Sequence, residues 1–179
     1  MIDDHILEIA NQASLNILTE DKRIDIKHKF RLSDKSNIGM LFFLCGGIFF
    51  IVAPYIKTSD TTTKFLGILF GLLLVTFSLL TIIRQVSDGL QIKDNTISFR
   101  HNLKRTILPL KIGVKVKMKT ELIKIRRVGT LGSDYILVTH YLQNFEKEIP
   151  ILTFQMEKRY EDNARKLGNE ITRIINAKF

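Results

Sequence analysis

The chain has 179 residues, with 27 Lys or Arg against 18 Asp or Glu, for a formal charge of +9. Its single cysteine, Cys45, excludes an internal disulfide and a cysteine metal cluster, which agrees with a reducing compartment. The positive excess resides in residues 84–179, with nineteen Lys or Arg against ten Asp or Glu, whereas residues 1–37 carry six against seven.

Residues 4–18 place Ile6, Ile9, Ala10, Ala13 and Ile17 at helical spacing, and Asp3 or Asp4 is positioned to cap that helix. Its apolar stripe is expected to pack on the C-terminal domain. Residues 24–32 then alternate, with Ile24, Ile26, Phe30 and Leu32 on one side and Asp25, Lys27, Lys29 and Arg31 on the other. This period of two predicts a strand, and a lone strand is unstable, so it is expected to join a sheet formed later in the chain.

Residues 38–56, IGMLFFLCGGIFFIVAPYI, and 65–83, FLGILFGLLLVTFSLLTII, contain no charged side chain. About 19 helical residues span about 28 Å, close to the thickness of a bilayer's hydrocarbon core. Two transmembrane helices are therefore expected. A signal peptide does not fit the first run, because more than thirty largely polar residues precede it and no small-residue cleavage site follows. The link from Lys57 to Lys64 suits a short turn at the far surface. Lys27, Lys29, Arg31 and Lys35 precede the first span and Arg84 and Lys93 follow the second, against Lys57 and Lys64 in the link. That bias places both termini in the cytoplasm and the protein in a cytoplasmic (inner) membrane. Small residues recur within the spans. Gly67 and Gly71 form a GxxxG pattern, and Gly46 and Gly47 lie on the first helix, so these four are the expected helix–helix contacts, within the hairpin or with another span, with Cys45 packing beside Gly46 and Gly47. No ionisable residue lies in either span, which argues against a transport path.

Beyond the second span short strands follow. Leu90–Lys93 and Thr96–His101 flank a two-residue Asp94-Asn95 turn, and Arg105–Leu110 comes next. Ile112–Lys119 and Glu121–Val128 read as two strands, GTLGSD (129–134) as a turn, and Tyr135–Leu142 and Lys147–Phe154 as two further strands. From Glu157 onward Tyr160, Ala164, Leu167, Ile171 and Ile174 repeat as the stripe of an amphipathic helix. Gly168, inside that stripe, suggests a close approach of helix and sheet.

The exit from the second span into DGLQIKDNTISF (Asp88–Phe99), the alternating Glu121–Val128 and the closing helix Ala164–Ile175 resemble bacterial two-span membrane proteins with a C-terminal pleckstrin-homology-like domain. The resemblance is one of architecture, and it carries no binding residue over to this chain. The expected fold is thus membrane α+β. A two-helix transmembrane hairpin precedes a small pleckstrin-homology-like sandwich or barrel of about seven strands closed by a C-terminal helix. Its parts are an N-terminal helix and strand (1–37), the hairpin (38–83) and a cytoplasmic domain (84–179).

The histidines, His5, His28, His101 and His140, are scattered without metal-ligand spacing. His28 and His101 read as surface residues, and His140 as a sheet-face residue rather than a general base. No phosphate loop, dinucleotide fingerprint or nucleophile elbow is present, and GTLGSD lacks the Lys-Ser/Thr and helix of a phosphate loop. No enzyme activity, metal or cofactor is expected.

The candidate surface is basic. Lys111, Lys115, Lys117 and Lys119 alternate with Ile112, Val114, Val116 and Met118, while Lys124, Arg126 and Arg127 follow and Lys104 and Arg105 lie earlier. Strands about 4.8 Å apart would gather these cations into one patch for anionic lipid or an acidic partner. Near an anionic bilayer each cation contributes about 1 kcal/mol. Nucleic acid ranks below the bilayer as a partner, for lack of a binding signature. The expected function is that of a non-catalytic accessory or scaffold protein in the assembly or regulation of a membrane complex, with a membrane-protein partner or a second copy. The alternative is an effector whose β domain senses a small anion or nucleotide and whose hairpins oligomerise to perturb the membrane.

Overall fold

The computed structural model describes residues 3–20, 23–31, 35–56, 60–101, 103–110, 115–124, 134–144 and 147–178. Two compact units emerge, one of residues 1–29 with 87–179 and the other of residues 30–86.

The first unit begins with helix α1 (Asp4–Gln12), where the Asp3 carboxylate accepts from the His5 N–H at 3.2 Å and so supplies the cap. The helix expected over 4–18 stops early. Ser14 takes a left-handed φ of 55°, and the chain continues as strand β1 (Leu15–Glu20). Ile17 lies four residues from Ala13 and two from Leu15, so it satisfies both periods. The structure chooses the strand, because Leu15 and Ile17 enter the core while pairing with β2 (Arg23–His28).

Strand β2 pairs with β3 (Gly89–Lys93), so the sheet expected to recruit the N-terminal strand does so. β3 turns through Asp94 and Asn95, at φ 47° and 56°, into β4 (Thr96–His101), which pairs with β5 (Lys104–Pro109). Positive φ at both central positions is what a tight hairpin requires, and Asp and Asn tolerate it. The resulting antiparallel sheet has the order β1-β2-β3-β4-β5.

A second antiparallel sheet holds β6 (Lys115–Lys124), β7 (Asp134–Asn144) and β8 (Lys147–Glu157). The two strands expected over 112–128 are one within the described residues, since β6 pairs with β7 without a break from Lys115 to Lys124. Thr120, a polar residue at an inward position, imitates a strand end without making one. Residues 111–114 and 125–133, including most of GTLGSD, lie outside the described residues. Eight strands are thus described, two before the long helices and six after.

β3 and β4 meet β8 across the core, and helix α4 (Glu161–Asn176) lies on β6, β7 and β8. α1 packs on β1 and α4, joining the two ends of the chain. Ala164, Leu167, Gly168, Ile171 and Ile175 form the buried stripe of α4, so Ile175 takes the place expected for Ile174, which is only half-buried. A Cβ at Gly168 would collide with Met118 Sδ and lie 3.0 Å from Val138 Cγ1, so the glycine sets how closely the helix meets the sheet. The end of α4 is fastened to the sheet edge by Asn176. Its amide accepts from the Val116 N–H at 2.9 Å and donates to the Val116 carbonyl at 3.1 Å, occupying edge groups that no strand pairs among the described residues. Asn176→Ala should therefore lower the urea midpoint of the purified chain, with a loss of about 1–3 kcal/mol. An unchanged midpoint would show that water replaces both bonds.

The second unit holds α2 (Lys35–Ile56) and α3 (Thr61–Ser87). Both are longer than their uncharged runs. α3 begins four residues before Phe65, at Thr61, because the Asp60 carboxylate accepts from the Thr63 N–H at 2.7 Å and caps it there. Both helices are long and apolar enough to cross a membrane. By sequence they interrupt the β2–β3 pair. Lys27 sits opposite Gly89 and the His28 N–H donates to the Asp88 carbonyl at 3.4 Å, so the chain leaves for α2 and returns from α3 at one end of the first sheet.

Candidate functional site

Two groups of residues carry the candidate contacts, the glycines of the helices and the cations of the β unit. On the helices, Gly47 and Gly71 face each other. A Cβ at Gly71 would stand 2.6 Å from the Gly47 carbonyl oxygen and 2.7 Å from Ile51 Cγ1. A Cβ at Gly47 would stand 2.9 Å from the Gly71 carbonyl oxygen, and one at Gly67 would stand 2.9 Å from the Pro54 ring. These three glycines let the backbones approach, as GxxxG geometry requires. Gly46 does not contribute to the α2–α3 contact, because nothing lies within 4 Å of its Cβ position, and Cys45 is exposed rather than packed beside it. One position apart on a helix is about 100° of rotation, so Gly46 turns away when Gly47 faces α3.

The cations divide. Lys111, Arg126 and Arg127 lie outside the described residues. Lys115, Lys117 and Lys119 project from one face of β6 and are exposed, whereas Val116 is buried and Met118 half-buried on the other. Lys124 has the parity of Val116 and lies opposite Asp134, so it falls on the reverse face of the strand from the three lysines. Lys119 ion-pairs with Glu148 and lies 4.9 Å from the Tyr141 ring centroid, and the Glu148 contact holds its ammonium above the ordinary lysine range. Glu121 shares that face. Lys104 and Arg105 stand on β5, in the other sheet. One patch of adjacent strands was expected, but the described cations occupy four places, because Lys124 falls on the reverse face of β6, β5 belongs to a different sheet, and the consecutive Lys104 and Arg105 fall on opposite faces of it.

Sequence reasoning missed the outer face of the first sheet. There Arg23, Asp25 and Lys27 of β2 point away from Ile24 and Ile26, beside Gly89, Gln91 and Lys93 of β3, Ser98 and Arg100 of β4, and Arg105 and Ile107 of β5. Asp25 is buried on this face. Its Oδ2 accepts from Arg23 at 2.9 Å and from Lys27 at 3.0 Å, while Oδ1 has no partner among the described residues. The Arg105 Nε donates to Ser98 Oγ at 2.9 Å. Alternation within each strand was visible in sequence, but the strand order that aligns the rows was not.

His140 is a core residue. It is fully buried, stacks on Phe154 and lies with Nε2 3.0 Å from the Gly168 carbonyl, which also accepts from Thr172 Oγ1 at 2.9 Å. A carbonyl only accepts, so the Gly168 contact calls for the ring proton on Nε2. Burial lowers its pKa, and the Gly168 and Leu152 carbonyls oppose that in part. His28, read as a surface residue, is half-buried. Its pKa is also lowered by burial, against the opposing pull of Asp88 and of Thr153. The His101 side chain lies outside the described residues.

A histidine whose folded pKa is lowered takes its proton more readily when unfolded. Stability is then fully present above the unfolded value of about 6.5 and declines as pH falls below it toward the folded value. The urea midpoint of the β unit should therefore drop between neutral pH and about pH 5, and His140→Phe should make that slope shallower. A midpoint equally steep in the variant would remove His140 from the effect.

Among the described residues no group of three or more His, Cys, Asp or Glu is placed to hold a metal ion. Comparison with protein families, with curated proteins and with solved structures finds no match to the chain.

Proposed function

We propose that this chain is a non-catalytic accessory protein of a cytoplasmic membrane. In this reading α2 and α3 cross the bilayer as a hairpin and hold a pleckstrin-homology-like β unit at the cytoplasmic face, where it scaffolds or regulates a membrane complex. The observation that carries the reading is the pair of long apolar helices whose side chains are left uncovered. Phe42, Phe49, Phe65 and Leu73 are 77%, 64%, 65% and 62% exposed. Leaving such a side chain in water forfeits about 1.5–3 kcal/mol that burial would return, and lipid supplies the missing cover. The pairing of β2 with β3 supports a hairpin whose preceding and following chain lie on one side of the membrane. The flanking Lys and Arg residues support the cytoplasm as that side. Two antiparallel sheets and a closing C-terminal helix support the pleckstrin-homology-like description.

Native membranes washed with alkaline carbonate should retain the chain, and release into the wash would remove the anchoring. Cross-linking before mild detergent extraction should then recover a stoichiometric membrane protein or a second copy. A strictly monomeric, partnerless chain would remove the scaffold.

A further inference from the structure

We propose that the tip of the β4–β5 hairpin rests on the bilayer surface, with Leu103 entering the interface and Arg100, Lys104 and Arg105 meeting anionic phospholipid headgroups. This rests on the reading that α2 and α3 cross the membrane. The argument begins with register. Arg100 pairs with Gly89 on one side and with Arg105 on the other, and His101 pairs with Lys104. The hairpin tip therefore lies at the Gly89 end of the first sheet. Gly89 is joined through Asp88 alone to Ser87, the last residue of α3. With strands about 4.8 Å apart, Arg100 stands about 5 Å and Arg105 about 10 Å sideways from the strand that continues α3. The uncharged run ends at Ile83, and four further helical residues, about 6 Å of rise, bring the chain to Ser87, so a chain leaving the hydrocarbon there keeps this end of the sheet close to the headgroups by covalent constraint.

The chemistry of the tip fits that position. Arg100, Lys104 and Arg105 are exposed and have no ion-pair partner among the described residues. Arg23 and Lys27, by contrast, are engaged by Asp25, and Lys119 by Glu148. Beside the cations are exposed apolar side chains, Leu103 at 45% in the turn and Ile107 at 57% one row beyond Arg105, away from the tip. Leu103 also holds a φ of 67°, a backbone conformation rarely given to leucine, which places an apolar side chain at the tip itself. Basic residues around exposed apolar ones match a lipid interface, where the apolar groups gain cover and the cations meet phosphate. The outer face of β6 has acids among its lysines and no such tether.

The test uses the full chain in nanodiscs, with Cys45→Ala and a single fluorescent label at Leu103→Cys or, as control, at Lys117→Cys. Lipids spin-labelled at the headgroup should quench the label at position 103 in discs containing phosphatidylglycerol, and leave the label at 117 far less quenched. The quenching at 103 should fall markedly in Arg100→Gln/Lys104→Gln/Arg105→Gln, and also at about 0.5 M salt, where the Debye length is about 4 Å. Equal quenching at 103 and 117, or quenching at 103 that survives removal of the three cations, would overturn the proposal. Release of the same chain by alkaline carbonate would instead overturn the anchoring on which it rests.

Discussion

Gly71→Leu is expected to pry α2 from α3. A Cβ at position 71 would stand 2.6 Å from the Gly47 carbonyl oxygen, 2.7 Å from Ile51 Cγ1 and 3.0 Å from the Ile51 nitrogen. Two of those three atoms are backbone, so no rotamer change relieves the overlap and the helices must separate. Overpacking of this kind costs about 1–3 kcal/mol where side chains can shift, and a contact against backbone sits at or beyond the upper end. The readout is already present in the hairpin, because Phe50 and Phe70 meet edge to face with ring centroids 5.2 Å apart. In a Cys45→Ala chain with cysteines at positions 50 and 70, cross-linking in detergent should be efficient while Gly71 is kept and largely lost once Gly71→Leu is added. Gly46→Leu is the control of equal volume, since nothing lies within 4 Å of its Cβ position. Equal cross-linking in the two variants would falsify the Gly47–Gly71 contact.

The second large effect is expected at α4. Ile171→Ala should cost about 2–5 kcal/mol, the sum of lost transfer energy and the cavity left behind. Ile171 is fully buried, between Leu167 and Ile175, which are fully buried too. Ile174→Ala removes the same atoms from the same helix, but Ile174 is half-buried, so its loss should be distinctly smaller. Urea unfolding of the detergent-solubilised chain, followed through the β signal, compares the pair directly. Equal losses at 171 and 174 would mean that α4 is rotated from the face described. Because α4 touches β6, β7, β8 and α1, the Ile171 variant should also loosen the N-terminal segment, read as faster amide exchange at Ile6 and Ile9.

Much of this was legible along the chain. Two uncharged apolar runs announced the long helices, because a helix needs no distant partner for its hydrogen bonds and the length of an uncharged run is read directly from the chain. The alternation of Ile24 and Ile26, the Asp94-Asn95 turn and the Ala164–Leu167–Ile171 stripe were equally local and lie in the elements expected, although the strand expected over 24–32 ends at His28 and leaves Phe30 outside it. The GxxxG pattern singled out Gly67 and Gly71, whose Cβ positions lie against α2, but could not choose between Gly46 and Gly47, since helix rotation is set by the partner.

The readings that failed all depended on distant neighbours. Ile17 fitted a helix and a strand equally, and only its pairing with Ile26 decided. Thr120 and Glu121 looked like a gap between strands, and only the unbroken ladder with β7 joined them. The cations, counted along the sequence as one patch, separated once Lys104 and Arg105 joined the first sheet and Lys115 to Lys124 the second. By itself the sequence determined two long apolar helices, a basic β-rich region and its closing helix, because periodicity and composition are properties of neighbouring residues. Only the tertiary structure decided that the helices interrupt a strand pair, and that Arg100 and Arg105 stand in a row with Gly89, at the end of the sheet where α3 delivers the chain. Strand order and register join residues far apart in the chain, and no local pattern encodes them.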